Sequence, residues 1–148
     1  MTASVRKQIV DEAIAMLSAG SPPAGFPQVW DTRLEPFEAT ELPAIVVFEI
    51  REDGQSEKEG RWSYFIKRAF TLRVEIRVAT GTPRVAIDPF YVWIVQQFGQ
   101  QTFGGLAEDT YDTLLEWQYA DSDQPYTLLQ IDFRVEYSTL KNDPTRIN

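Results

Sequence analysis

The chain has 148 residues, of which 43% are hydrophobic, and a formal net charge of −8. That is enough apolar material for one core, and the charge opposes the phosphate neutralisation on which general nucleic-acid binding depends. The chain contains no cysteine and no histidine, which excludes disulfides, thiolate zinc sites, cysteine nucleophiles and histidine-based catalytic triads.

From the N-terminus, Thr2 or Ser4 is placed to cap a first helix in which Val10, Ala13, Ile14 and Leu17 share one face, while Arg6, Lys7 and Glu12 fall mostly elsewhere. Gly20 and the following SPPAG stop it. Asp11 and Glu12 also break the stretch that a signal peptide would keep apolar, and no apolar run approaches the roughly 20 residues that cross a bilayer. A soluble protein made in a cytoplasm is expected, with no membrane partner.

A short strand is predicted over Gln28 to Arg33, and a loop with Pro36 and Pro43 leads into a strand from Ala44 to Arg51. In that strand Val46, Phe48 and Ile50 form one apolar face, and Ile45 and Val47 are apolar on the other, which suits burial on both sides. From Trp62 to Ala79, Phe70, Leu72, Val74, Ile76 and Val78 alternate with Thr71, Arg73, Glu75, Arg77 and Ala79, the clearest period-two pattern in the chain.

A second helix is opened by Thr82 and Pro83 or by Asp88 and Pro89. It runs through PFYVWIVQQF to a stop near Gly99 or at Gly104 and Gly105, and its aromatic residues read as core. Leu115, Trp117 and Tyr119 suggest a short strand. In the last strand Leu129, Ile131, Phe133, Val135 and Tyr137 alternate with Gln130, Asp132, Arg134, Glu136 and Ser138. The expected fold is a single α+β domain over 1–148: two layers, with a mostly antiparallel sheet of four to five strands, two helices on its apolar face, and a protruding charged hairpin.

Motifs for small-molecule chemistry are few. No glycine-rich phosphate loop or dinucleotide fingerprint is present. Asp121 and Asp123 have the start of a calcium-loop spacing, but Tyr126 stands where glycine is needed. Glu108, Asp109, Asp112 and Glu116 form an acidic cluster that reads as a solvated segment. No catalytic, metal-binding or cofactor-binding residue is assigned, and no enzymatic activity is expected.

Two features remain. One is the charged sheet face, where Arg73, Glu75 and Arg77 on one strand and Asp132, Arg134 and Glu136 on another either satisfy one another across strands or form a subunit interface. The other is REDGQSEKEGR at 51–61, which has no apolar side chain. It is either a solvated tip or an arm to a neighbour, with Arg51, Glu57, Lys58, Glu59 and Arg61 as its contact residues.

The order of features resembles the tail terminator, or tail completion, proteins of long-tailed bacteriophages. The amphipathic helix VRKQIVDEAIAML is followed by VWDTR, a loop ending in LPAIVVFE, the polar insertion, RAFTLRVEIRVATG, a helix, and LLQIDFRVEYST. The resemblance covers nearly the whole chain, and its best local matches carry no chemistry. It implies a virion structural protein assembled in the host cytoplasm: a homohexameric ring that caps the tail tube, stops tube polymerisation and joins the tail to the head connector or neck protein. DNA would pass through such a ring without specific binding. The aromatic second helix and GGLAEDTYD depart from the family pattern, which keeps a head–tail connector, neck or other minor tail protein as an alternative. A cytosolic small-ligand-binding module is the alternative from a different class.

Overall fold

The computed structural model describes residues 2–35, 37–57, 65–119 and 126–147, with the backbone alone for 53–57. Helix α1 (Val5–Ala19) begins at Ser4, whose side chain accepts a hydrogen bond from the Lys7 amide at 3.2 Å, so of the two candidate caps Ser4 is the one used. Strand β1 (Gln28–Asp31) and a single 3-10 turn (Ala39–Glu41) precede the long strands β2 (Ala44–Glu57) and β3 (Phe65–Ala79). Helix α2 (Arg84–Phe98) follows, then β4 (Asp109–Gln118), β5 (Tyr126–Leu140) and β6 (Asp143–Ile147). Pro83 caps α2 and Pro89 lies inside it, so the helix opens at the first of its two predicted starts and closes at Gly99.

The strands form one mixed sheet in the order β1-β2-β3-β5-β4, with β6 pairing β5 beyond β4, and the sheet curls into a half-barrel. Among the described residues only the β1–β2 pair is parallel. The α+β expectation holds, with a sixth strand added. That strand is short and mostly polar, so its pairing leaves no apolar rhythm in the sequence.

Alternation along β3 and β5 determines the rest. Leu72, Val74 and Ile76 lie beside Ile131, Phe133 and Val135 on the face under the helices, all fully buried. Val5, Ile9, Ala13 and Leu17 repeat every four residues on α1, and Ile87, Phe90, Ile94 and Phe98 supply the buried stripe of α2. Phe98 meets Phe103 and Phe133 edge-on, with ring centres 5.6 and 5.2 Å apart. The double-sided burial expected of β2 is also present: Ile45 and Val47 join this core, while Ala44, Val46 and Phe48 join a smaller cluster with Phe37 on the opposite face.

The polar segment begins differently from its expected form. Arg51 to Glu57 continue β2, and the β2–β3 ladder runs to Glu57 opposite Ile66. Strand β5 accompanies β3 as far as Leu140 opposite Phe65, so three strands share this end of the sheet. The tip at 58–64 lies outside the described residues.

Glu52 is a structural member of this end. Its carboxylate accepts from the Tyr137 hydroxyl, and from Arg68 at 3.2 Å, and lies 3.6 Å from Arg6 of α1. Burial, together with the bond to Glu52, raises the Tyr137 phenol well above its ordinary range and keeps it protonated as a donor. A polar sequence thus reads as a loop while its backbone and one carboxylate hold a strand in place.

Val74→Asp or Phe133→Asp would place an unpaired carboxylate beneath the helices, a cost of several kcal/mol, roughly 2–7 for a buried polar group, against a total stability of about 5–15 kcal/mol. Both variants are expected in the insoluble fraction on expression. A soluble variant with a cooperative urea transition would contradict the assignment of faces.

Candidate interface on the charged sheet face

Opposite the helices, the six charged residues pair among themselves. Arg73 and Asp132 stand directly across the β3–β5 ladder and make two bonds, Nε to Oδ1 at 2.8 Å and Nη2 to Oδ2 at 3.1 Å. This is the cross-strand pair that alternation predicts. The others fall out of register for such pairing, because Glu75 is opposite Gln130, Arg77 opposite Leu128, and Arg134 opposite Thr71.

They pair along their own strands instead. Arg77 donates Nε and Nη2 to Glu75 at 3.0 and 2.8 Å, and Arg134 Nε reaches Glu136 at 3.3 Å. Glu136 also accepts from the Tyr111 hydroxyl at 3.4 Å and lies 3.8 Å from Lys67. These six residues therefore form three internal pairs, with Lys67 beside the last of them.

Burial separates them further. Arg77 is 5% exposed and Asp132 6%, so neither offers a surface to a neighbouring subunit, whereas Arg134, Glu136 and Arg73 are partly open. The reason is aromatic cover. The Arg77 guanidinium lies 5.2, 5.8 and 5.3 Å from the ring centres of Phe37, Phe48 and Tyr126, and its buried Nη1 has no hydrogen-bond acceptor among the described residues.

Phe37 is brought there by the loop after β1. Arg33 of that loop lies 4.0 Å from the Phe37 ring and 4.7 Å from Trp30, and grips Glu41 with bonds of 2.6 and 2.9 Å. This clamp anchors the loop at the sheet and encloses the inner end of the charged face. Sequence alternation gives the side of the sheet for Arg77, but a loop that folds back over it leaves no periodic signal.

Of the segment residues, Arg51 is exposed on β2 and Glu57 ends that strand; Lys58, Glu59 and Arg61 lie outside the described residues. The nearest apolar surface is formed by Leu34, which is 81% exposed, and Ile50. They flank a depression of about 260 Å³ whose floor includes Phe48, Arg73 and Glu75.

The acidic residues near β4 do not converge. Among the described residues there is no group of three or more acidic side chains that could hold a metal ion, and Glu108 accepts from the Ser138 hydroxyl. Asp121 and Asp123 lie outside the described residues. No helix among the described residues is long and apolar enough to cross a membrane. Comparison with protein-family models and with curated proteins finds no match.

Removing the buried Arg77 leaves the half-buried Glu75 without this partner and empties the aromatic enclosure, so Arg77→Ala is expected to lose about 3 kcal/mol in urea denaturation. The double variant Glu75→Met, Arg77→Met removes both charges at similar volume and should regain most of that loss. Equal destabilisation in the single and double variants would show that the aromatic enclosure, and not the ion pair, holds this region.

Proposed function

We propose that the chain is a virion structural protein of the tail terminator type: a homohexameric ring that caps the tail tube, stops its growth and presents the surface joined by the head connector. The reading rests on the resemblance in element order, and one structural observation carries it beyond order. The three-strand end formed by Arg51–Glu57, Phe65–Thr71 and Arg134–Leu140 prolongs the sheet, and residues 58–64 connect β2 to β3 in the sequence. It holds Glu52 in its own network and adds Phe70, Val135 and Tyr137 to the main core. A closed ring needs a heterologous contact in which one patch meets a different patch on the next copy, and an extended, internally braced sheet end is suited to that task.

Under this reading the protein works by shape and surface, without turnover, and its place is the junction of tail and neck in the virion. The exposed Arg51 and the partly exposed Arg73, Arg134 and Glu136 set register with the neighbour, and Arg77 and Asp132 support them from within.

Because Glu52 belongs to the folded network, a test must spare it. Replacing residues 58–65 by Asn-Gly keeps Glu57 opposite Ile66 and closes the hairpin with a turn suited to antiparallel strands. The shortened protein is expected to keep the circular dichroism and melting transition of the parent. In sedimentation velocity with the tube protein it should remain a monomer where the parent forms rings. Ring formation equal to the parent's would remove the segment from the interface.

A further inference from the structure

The net charge of this protein arises in one stretch of its sequence, four of whose acidic residues, Asp88, Asp109, Asp112 and Glu116, lie on α2 and β4. Between Val85 and Phe133 the sequence contains eight of the 22 acidic residues and none of the 14 basic ones, so the 14 acidic and 14 basic residues elsewhere cancel. That segment contains α2 from its second residue, all of β4, and the first half of β5.

The same stretch carries an open strand edge. Strand β4 is the last in the sheet order, and its outer edge is covered near Thr110, where the Gln100 amide donates to the Thr110 carbonyl at 2.8 Å. From Tyr111 onward β4 has no further strand beside it among the described residues, and all six residues from Tyr111 to Glu116 are exposed. An edge of this kind presents unpaired amides and carbonyls that another extended chain can complete.

Beside the edge runs a groove. Val85, Asp88 and Tyr91 of α2 face Leu115 and Trp117 of β4 across a space of about 400 Å³, with Arg84 at its end. Val85 is 78% exposed, and Tyr119, stacked on Trp117 at 6.2 Å with nearly parallel rings, is 63% exposed. An apolar groove between a helix and an open strand is the arrangement that receives an added strand: its backbone pairs with the edge, and alternate side chains enter the groove.

We infer that the α2–β4 edge binds an extended segment of a basic partner protein by strand addition, with apolar side chains entering the groove and lysine or arginine at the alternate positions. The charge selects the occupant. A second copy adding through β4 would bring Asp109, Asp112 and Glu116 against the same residues, and the rest of the chain, being neutral overall, has no excess of positive charge to offer. The acidic side chains thus deter self-pairing at this edge while attracting a strand of opposite sign. The inference does not depend on the ring reading, since it concerns a different edge of the sheet and a different partner.

The probe is an acetylated and amidated seven-residue peptide alternating lysine with valine, titrated into the full chain and followed by amide NMR shifts. Expected are saturable shifts confined to residues 111–119 and the first two turns of α2. The same peptide N-methylated at alternate residues cannot add to the ladder and should bind at least tenfold more weakly, and a glutamate–valine peptide should not bind. The variant Val85→Lys, Asp112→Lys changes two exposed positions and should weaken binding at least tenfold with its melting temperature unchanged. Equal binding of the methylated peptide, shifts outside this edge, or no binding of the lysine peptide at millimolar concentration would each overturn the inference. So would self-association through residues 111–118, which would make a second copy the occupant.

Discussion

Fifteen consecutive residue pairs join β3 to β5, from Phe65 opposite Leu140 to Ala79 opposite Tyr126. Side chains alternate along both strands, so this register decides which side of the sheet every other element occupies. A slip of one residue would carry Arg73 beneath the helices and Val74 to the charged face, which the two buried stripes of α1 and α2 forbid. The Arg73–Asp132 pair marks the same register from the other side. Strand β2 then adds to β3 and β4 to β5, and the cluster around Phe37 and Phe48 closes the inner part of the second face.

The parts of the fold that were legible in the sequence are those where burial alternates. The β3 and β5 faces, the two helices and the two-sided start of β2 follow from period two or period 3.6 in apolar residues. The extension of β2 through Glu57 was not legible, because a strand whose side chains are polar on both sides looks like a loop; the carboxylate at Glu52 gains meaning only once Tyr137 and Arg68 are seen around it. Strand β4 was seen only in its last residues, since an exposed edge strand with a bulge between Asp112 and Leu114 breaks its own alternation.

The candidate site was legible in kind and not in detail. Alternation placed all six charged residues on one face, but which carboxylate meets which guanidinium depends on a register that only the paired strands define. The enclosure of Arg77 depends on the return of the 33–43 loop, whose anchor is the Arg33–Glu41 pair. The asymmetry of charge, by contrast, was present in the sequence throughout. It acquires a direction only when α2 and β4 are found side by side at one edge of the sheet.

These features describe a protein with two dissimilar ends. One is the braced three-strand extension carrying the polar segment, with Leu34 and Ile50 near its base; the other is the acidic edge of α2 and β4. An assembly protein that contacts its own copies on one side and another protein on the other needs such an asymmetry. Cryo-electron microscopy of particles purified from cells that encode this chain tests the account most directly. The account predicts density for the fold in a six-fold ring at the head-proximal end of the tail tube. Particles in which the chain is absent, or lies elsewhere, or forms a ring of another symmetry would contradict it.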